Sequence, residues 1–108
     1  MPFRAMLTND AARDLEELYD YIALHDAPRK ADYVLDQIEK AFSKLSEFPE
    51  RGAYPKEMLT LGIREYRQIF FKPYRILYRV MEKNVYVLLI VDGRRDMQSL
   101  LQRRLLDA

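Results

Sequence analysis

Arginines are the residues whose spacing in this 108-residue chain most suggests chemistry. Arg75 and Arg79 lie in a run of aromatic and β-branched residues, and Arg94 and Arg95 follow the next apolar run. If these runs form adjacent strands, the four side chains could converge on one patch. A guanidinium can hold a phosphate through two hydrogen bonds and stabilise developing negative charge, as a metal-free ribonuclease would require.

A ribonuclease would also need groups that donate and accept protons near the scissile phosphate. The candidates are Asp92, Asp96, Tyr66 and Tyr74, but their spacing places none of them beside a phosphate. The arginines could instead be solvated or paired with nearby carboxylates, where exposed ion pairs contribute little. They could also form a protein-binding patch, because arginine and tyrosine are enriched at interface hot spots. The residues alone leave these three interpretations open.

Composition argues against several other kinds of site. The chain has no cysteine and one histidine, His25, which we expect to be exposed near a helix end, so we expect no metal site and no cofactor. Glycine-rich phosphate loops and nucleophile elbows are absent from the sequence. The net charge of +1 is low for a protein that holds a nucleic acid backbone without help.

The sequence also carries no signal for a membrane or for export. Its first residues lack the long apolar core of a signal peptide, and no run approaches the roughly 18 apolar residues of a membrane span. We therefore expect a cytoplasmic protein with no membrane partner.

The strands that would carry the arginines form a predicted hairpin. Residues 64–71 and 74–80 flank Lys72-Pro73, where proline has no N–H for a sheet ladder and so favours a turn. Alternation divides the second run into two faces: Tyr74, Ile76, Tyr78 and Val80 against Arg75, Leu77 and Arg79. In the first run Arg67 and Gln68 point to opposite faces of the predicted strand. Either of these faces could be the core face.

Two amphipathic helices precede the hairpin. After a short strand at residues 3–7, Thr8 to Asp10 offer helix-capping side chains, and the first helix should end near His25. Pro28 suits the first turn of the second helix. A loop from Phe48 to about Gly62 should follow. The two apolar stripes should pack together as an αα hairpin: Ala11, Ala12, Leu15, Leu18, Tyr19 and Ile22 with Ala31, Val34, Leu35, Ile38, Ala41, Phe42 and Leu45.

The remaining elements complete an α+β fold. Val85–Val91 is apolar throughout and should be a central strand covered on both faces, and Asp96 should cap a short C-terminal helix. The predicted architecture is an N-terminal strand, an αα hairpin packed on a small, mainly antiparallel sheet, and that last helix, with the helices on one side. We expect residues 1–108 to form a single domain.

Five segments between Phe3 and about Leu101 are similar, in order and spacing, to the ParE branch of the RelE/ParE superfamily, the toxins of bacterial type II toxin–antitoxin pairs. These segments are Leu15-Glu16-Glu17 with Tyr19 and Ile22, Phe48-Pro49 with Gly52, residues 62–67, residues 74–79, and Gly93-Arg94-Arg95-Asp96. The resemblance implies the RelE/ParE-like fold, in agreement with the elements above.

The resemblance also implies a function. It implies a toxin neutralised by a ParD-like antitoxin, whose C-terminal segment wraps the toxin as a helix and an extended chain, so that the two form a hetero-oligomer. The implied target is DNA gyrase, held so that cleaved DNA accumulates and replication stops. DNA would then be contacted only indirectly, through the antitoxin or gyrase. No cofactor is implied, and the protein would not be an enzyme.

The sister RelE-like toxins instead cut messenger RNA in the ribosomal A site, and matched positions allow a comparison. Arg75 and Arg95 stand at two positions where RelE-like toxins also have arginine. Leu101, however, stands where those toxins have a tyrosine. Asp92 stands where related sequences often have histidine. The loss of these acid and base groups favours gyrase inhibition. The alternatives are a ribosome-dependent endoribonuclease and an inactive member that acts only as a binding partner.

Two sets of site residues follow from this reading. We predict no catalytic residue. An amphipathic antitoxin helix should occupy an apolar groove, and a strand of the antitoxin could add to the sheet edge. We also expect substitutions at Arg75 and Arg79 to weaken activity more than folding. The candidates for target binding or toxicity are Arg67, Arg75, Arg79, Arg94 and Arg95, and those for the antitoxin groove are Leu15, Leu18, Tyr19, Ile22, Leu35 and Ile38.

Overall fold

A computed structural model describes residues 3–106 of the chain. A turn of 3-10 helix at Lys44–Ser46 follows the second long helix, and a π-helical turn at Gln102–Leu106 follows the last one. The other elements, in chain order, are β1 Arg4–Leu7, α1 Asn9–His25, α2 Pro28–Ser43, α3 Lys56–Leu59, β2 Arg67–Phe71, β3 Tyr74–Met81, β4 Asn84–Asp92 and α4 Met97–Leu101.

The two long helices begin where the sequence predicted. The Thr8 hydroxyl accepts a hydrogen bond from the Ala11 N–H at 3.1 Å, which satisfies one of the unpaired donors in the first turn of α1. Pro28 occupies the first turn of α2, where its missing N–H costs nothing. The predicted αα hairpin is confirmed, and its apolar stripes face each other and the sheet: Ala11, Leu15, Ile22, Ala31, Val34 and Ile38 are buried.

The sheet has the strand order β1-β4-β3-β2. β1 pairs with β4 in parallel and the other neighbours are antiparallel, so the mainly antiparallel sheet is confirmed and β4 is a central strand. β2 begins only at Arg67, later than predicted, because residues 64–66 do not pair with a neighbouring strand. Ala53 forms an isolated bridge with Gln68 on the outer edge of β2.

Both faces of the sheet are buried, so the expectation that all helices lie on one side is wrong. α1 and α2 cover the face of Ile76, Tyr78 and Val85. The opposite face, with Leu77 and Leu89, is covered by a second cluster from α3, α4 and the chain between them: Met58, Tyr66, Met97, Leu100 and Leu101. Because β3 and β4 are apolar at consecutive positions, both of their faces require a cover.

The two faces also resolve the ambiguity in β2. Ile69 packs in the cluster under α1 and α2, and Arg67 pairs with Tyr78 on that same side. Gln68 pairs with Leu77 and faces the second cluster. Arg67 and Arg75 therefore extend from opposite faces of the sheet.

A β-bulge interrupts the pairing of β3 with β4. Leu77 pairs with Leu89 but Tyr78 pairs with Val87, which leaves Leu88 as an extra residue. Near the bulge, side chains satisfy two backbone groups of β4 that the strand pairing leaves free. The Ile90 N–H donates to Asp14 Oδ2 at 3.1 Å, and Arg104 Nη1 donates to the Leu88 carbonyl at 3.1 Å.

The predicted loop between α2 and the hairpin contains the short helix α3, which the sequence reading missed. The loop is fixed to the sheet by the buried Tyr78 side chain, whose hydroxyl donates to the Pro49 carbonyl at 2.7 Å and accepts from the Gly52 N–H at 3.0 Å. A Cβ at Gly52 would lie 2.7 Å from the Gln68 carbonyl oxygen, so the close approach of two backbones requires glycine there. Across residues 3–106, no helix has the length and apolar character needed to cross a bilayer.

Candidate functional site

Arg75 is held inside the protein. Its guanidinium donates from Nη1 and Nη2 to the two carboxylate oxygens of Glu57 on α3, each at 2.9 Å, and from Nε to Gln68 Oε1 at 2.7 Å. The hydrogen bonds from Arg75 hold the pKa of Glu57 below its usual value, although partial burial opposes the shift. The fork of donors that a phosphate would use is therefore already engaged within the fold.

Arg67 supports the loop on the other face of the sheet. Its Nη1 donates to the carbonyls of Gly52 at 2.8 Å and Glu50 at 3.2 Å, and its Nη2 donates to the Tyr54 hydroxyl at 3.0 Å. The guanidinium carbon also lies 4.5 Å from the centre of the Tyr54 ring, a cation–π contact. Arg67 thus connects the start of β2 to the loop that precedes α3.

The three other candidate arginines are more accessible. Arg79 approaches Glu65 only to 3.8 Å, and its side chain is 37% exposed. Arg94 is exposed and binds its neighbour Asp92, donating from Nε to Oδ1 at 2.9 Å, and these hydrogen bonds lower the pKa of Asp92. Arg95 is exposed beyond the end of β4.

The predicted convergence of the arginines is therefore wrong. Arg67 and Arg79 line one polar depression of about 220 Å³, together with Arg64. Arg94 and Arg95 line a different groove at the end of β4. Arg75 lines neither, because its guanidinium is paired with Glu57 on the face covered by α3. Tyr74 pairs with Asp92 and Arg79 pairs with Tyr86, so Arg79 and the arginines that follow β4 lie at opposite ends of the β3–β4 pair.

The groups considered for proton transfer are also dispersed. Leu101 is 2% exposed and packs in the second cluster. The Asp96 carboxylate caps α4 by accepting from the Ser99 N–H at 3.3 Å, as predicted. Tyr66 is buried in the second cluster, while Tyr74 packs against the opposite one, where burial raises its pKa. Within residues 3–106, the side-chain partners of the Arg75 guanidinium are Gln68 and Glu57, and none of these groups is among them.

The predicted antitoxin residues divide between a groove and the core. Leu15, Tyr19 and Leu35 line a shallow, mostly apolar groove of about 360 Å³ between α1 and α2. The Tyr19 hydroxyl donates to Asp32 Oδ1 across this groove at 2.6 Å, and that hydrogen bond raises the pKa of Tyr19. Ile22 and Ile38 are buried in the core beneath the helices. Leu18 lines a second, larger groove, and Ile22 contributes to the lining of that groove as well.

That second groove, which the sequence reading missed, measures about 750 Å³. One wall is a stripe of α1 that includes Leu18, Tyr21 and His25, and the other is Ile90–Asp92 of β4. Tyr21 is 63% exposed and its ring centre lies 4.3 Å from that of His25, which is exposed as predicted. The sequence signal for this groove was Tyr21, an aromatic residue of α1 that lies outside the apolar stripe of the helix.

The chain is similar to toxins of bacterial toxin–antitoxin systems. A family model described as "ParE toxin of type II toxin-antitoxin system, parDE" matches residues 5–97. Toxin ParE3 of Caulobacter vibrioides is 29% identical over 101 residues, which cover 94% of this chain and 97% of that protein.

Three solved structures have a similar fold. The chromosomal ParDE toxin–antitoxin system from P. aeruginosa gives a TM-score of 0.70 at 23% identity, covering 83% of this chain and 95% of that one. The toxin–antitoxin complex RelBE2 from Mycobacterium tuberculosis gives 0.58 at 27% identity, covering 85% and 99%. A double mutant of E. coli toxin RelE in the free state gives 0.64 at 16% identity, covering 97% and 100%. At 23% and 16% identity the likeness shows the fold alone.

Proposed function

The chain belongs to the ParE toxin family of type II toxin–antitoxin systems, and from this premise we propose that it inhibits DNA gyrase and thereby blocks replication. In this proposal it acts in the cytoplasm as a non-enzymatic toxin. A ParD-like antitoxin neutralises it by forming a hetero-oligomer, and DNA is contacted only through gyrase or the antitoxin.

The main support for a non-enzymatic toxin is the set of hydrogen bonds that Arg75 makes within the protein. Its guanidinium donates hydrogen bonds to Glu57 and Gln68. It therefore has no free pair of N–H groups with which to bind a phosphate. Leu101 contributes a buried hydrocarbon side chain where a RelE-like nuclease would need a proton donor. Both features support a toxin that acts by binding.

The exposed arginines are the proposed contacts with gyrase. Arg79, Arg94 and Arg95 present guanidinium groups at the surface, where arginine commonly contributes to protein interfaces. Arg67 and Arg75 support that surface indirectly, because Arg67 holds residues 50–54 and Arg75 holds α3. We assign no catalytic role to any of the five.

The groove between α1 and α2 is the proposed binding site for an antitoxin helix. Leu15, Tyr19 and Leu35 give it an apolar floor, and Glu16 and Asp32 lie along its rim. An amphipathic helix with an apolar stripe flanked by lysine or arginine would match that floor and rim. The structures from P. aeruginosa and M. tuberculosis, which are toxin–antitoxin systems, support a protein partner of this class.

The proposal is tested by adding the purified chain to gyrase, ATP and relaxed plasmid. We expect supercoiling to stop in proportion to the toxin added and to resume when the antitoxin is supplied. Unimpaired supercoiling at a large excess of folded toxin would exclude gyrase as the target.

A ribosome-dependent endoribonuclease is the second candidate, favoured by the fold shared with RelE and by the presence of Arg75 and Arg95. Mapping the 5′ ends of a message on programmed ribosomes distinguishes the two. Intact message is expected, and cleavage at codons in the A site would support the nuclease instead. Unimpaired growth of bacteria expressing the chain alone would indicate an inactive binding partner.

A further inference from the structure

Strand β3 continues past the end of its pairing with β2. β2 begins at Arg67, opposite Tyr78, whereas β3 continues to Met81. The polar depression of about 220 Å³ lies beside this last stretch of β3. We call it the arginine depression, because Arg64, Arg67 and Arg79 line it. The three arginines belong to different parts of the chain, since Arg64 precedes β2, Arg67 begins β2 and Arg79 lies on β3.

The charge of Arg67 is not neutralised by a carboxylate. Every oxygen that its guanidinium bonds within residues 3–106 is neutral, namely the carbonyls of Glu50 and Gly52 and the hydroxyl of Tyr54. These bonds and the contact with the Tyr54 ring hold the guanidinium in place. A partly buried charge is also screened less by salt than an exposed one. Arg67 therefore gives the depression a fixed positive wall.

Arg79 and Arg64 have N–H groups available for a ligand. Arg79 lies 3.8 Å from Glu65, which is too far for a hydrogen bond. Its guanidinium carbon lies 5.8 Å from the centre of the Tyr66 ring, which packs behind it. Arg64 is exposed and is absent from the ion pairs formed among residues 3–106. Neither guanidinium has to break a hydrogen bond within that part of the chain to bind a ligand.

The arginine depression carries a local excess of positive charge. Its three guanidinium groups are accompanied by two carboxylates, those of Glu50 and Glu65, which leaves one positive charge in excess. Both glutamates are exposed, so their side chains can turn towards solvent when an anion enters. The whole chain has the same net charge spread over 108 residues, so the excess in this small cavity favours an anionic ligand.

The arrangement of the donors suits a phosphate group better than a carboxylate. A single guanidinium satisfies both oxygens of a carboxylate, as Arg75 does with Glu57. The oxygens of a phosphate point in several directions and can accept from more than one arginine. At about 30 Å³ per water, a cavity of about 220 Å³ has room for about seven waters, and a phosphate group therefore fits.

An apolar recess adjoins the depression on the other side of Arg79. It measures about 290 Å³, and Tyr66, Met81, Tyr86 and Leu88 line it together with Arg79. The Met81 side chain is 47% exposed, so a ligand can reach the recess from solvent. Aromatic and thioether side chains pack well on the face of a nucleobase. A ligand that joins an aromatic ring to a phosphate would use both cavities.

We infer that the arginine depression and the apolar recess together bind a nucleotide. Arg79 and Arg64 donate hydrogen bonds to the phosphate oxygens, Arg67 supplies fixed positive charge, and Tyr86 packs on the base. The phosphate belongs either to a free nucleotide or to the end of a nucleic acid strand. The inference does not rest on the proposed function, because it requires neither gyrase nor an antitoxin.

This site is separate from the residues considered above for phosphate chemistry. Arg75 lines neither cavity, and Arg95 lines the groove at the end of β4. These are the two positions at which RelE-like toxins also have arginine. The nucleotide would therefore bind away from them, and no bond in it is broken.

NMR titration of the ¹⁵N-labelled chain at constant ionic strength tests the site. Adenosine monophosphate should bind with a Kd below about 1 mM and shift the side-chain Nε–H signals of Arg79 and Arg64. Inorganic phosphate should bind at least about fivefold more weakly, because it lacks a base to stack. Adenosine lacks the phosphate, and malonate carries a similar charge on carboxylates, so each should bind at least about tenfold more weakly than adenosine monophosphate.

A short oligonucleotide with a 5′ phosphate distinguishes the two sources of the ligand. Tighter binding of the oligonucleotide than of adenosine monophosphate would identify a strand end, and weaker binding would identify a free nucleotide. If neither binds at concentrations well above about 1 mM, the inference is wrong.

Substitutions locate the two halves of the ligand. Arg79→Gln and Arg64→Gln should each weaken the affinity for adenosine monophosphate, the first at least about tenfold. Arg29→Gln, at an exposed position of α2 that lines neither cavity, is the matched control and should change it less than about twofold. Tyr86→Thr should weaken adenosine monophosphate about fivefold and leave inorganic phosphate unchanged.

The same spectra show whether each variant is folded, and Arg64→Gln changes only an exposed side chain. Equal losses in Arg79→Gln and Arg29→Gln would indicate a general charge effect and overturn the site. Malonate binding as tightly as adenosine monophosphate would show that the depression recognises charge and not phosphate, which also contradicts the inference. An effect of Tyr86→Thr on both phosphate ligands alike would exclude the recess as the site of the base.

Discussion

The guanidinium of Arg75 and the carboxylate of Glu57 form a two-point ion pair between β3 and α3, with both oxygens 2.9 Å from guanidinium nitrogens. Both side chains are largely buried, at 9% and 16% exposed. The pair fastens α3 over the second core cluster. A residue that the sequence suggested for phosphate or target binding therefore has a clear structural role.

Truncation of Arg75 should destabilise the protein strongly. Arg75→Ala leaves the Glu57 carboxylate buried without its partner, and we expect a loss of about 3–5 kcal/mol in the free energy of unfolding. Arg79→Ala is the matched control, because Arg79 lies on the same face of β3 in a loose, exposed pair and should cost about 0–1 kcal/mol. Urea unfolding measures both. Similar losses would show that Arg75 has no special structural role.

Acid should weaken this ion pair in a defined direction. Because hydrogen bonds from Arg75 lower the pKa of Glu57, the stability they contribute is present above the unfolded pKa, about 4.3 for glutamate. It is lost as the pH falls through the lower folded pKa. Glu57→Gln should flatten the dependence of unfolding free energy on pH below about pH 5. The exposed Glu47→Gln removes the same charge away from the pair, and an equal flattening there would argue against this origin.

The loop before α3 should depend on one hydroxyl. Tyr78→Phe leaves the buried Gly52 N–H and the Pro49 carbonyl without their partner, at a cost of about 1–3 kcal/mol. Thermal unfolding monitored by circular dichroism measures the loss. The exposed Tyr33→Phe is the control and should be nearly neutral. A neutral Tyr78→Phe would mean that water replaces the hydroxyl.

The C-terminal turn should depend on Asp14. Asp14→Ala removes the acceptor of the Ile90 N–H and leaves Arg104 without its carboxylate, and we expect a loss of about 3 kcal/mol or more. Residues 102–106 should also become more sensitive to limited proteolysis, which mass spectrometry can locate. Asp20→Ala, at an exposed position of the same helix, should change neither quantity. Unchanged proteolysis in Asp14→Ala would show that Arg104 does not hold the turn.

The groove between α1 and α2 should control antitoxin binding. Leu35→Glu places a charge beside Glu16 and Asp32 on an apolar floor and should weaken the antitoxin affinity at least about tenfold. Leu24→Glu, at a side chain 81% exposed and outside both grooves, should leave the affinity near the wild-type value. Calorimetric titration of folded variants gives the comparison. Equal affinities for Leu35→Glu and the wild type would exclude this groove.

Much of the fold follows from local patterns in the sequence. Thr8 and Pro28 start the two long helices, and the apolar run at 85–91 forms the central strand, because capping chemistry and periodicity depend on near neighbours. The side of the sheet on which α4 packs could not be predicted from local patterns. It depends on which face of β3 and β4 the two long helices leave uncovered, and only the assembled sheet determines this.

The candidate site was harder to predict, for a related reason. Arg75 and Arg79 are four residues apart on one face of β3, but only Arg75 meets a carboxylate from α3, a helix that the sequence pattern predicted as part of a loop. The groove between α1 and the end of β4 arises because β1 ends at Leu7 while β4 continues to Asp92, and the sequence of neither strand shows this alone. The bulge at Leu88 likewise shifts which β4 residues face α1.

Plasmid cleavage by gyrase tests the central claim most directly. Supercoiled plasmid is incubated with purified gyrase and the folded toxin, denatured with detergent and protease, and separated on a gel. We predict that linear DNA accumulates with the toxin, that it is absent when gyrase or the toxin is omitted, and that prior addition of the antitoxin prevents it. A plasmid that stays uncut at all toxin concentrations, together with message cut in the ribosomal A site by the same preparation, would contradict a non-enzymatic toxin acting on gyrase.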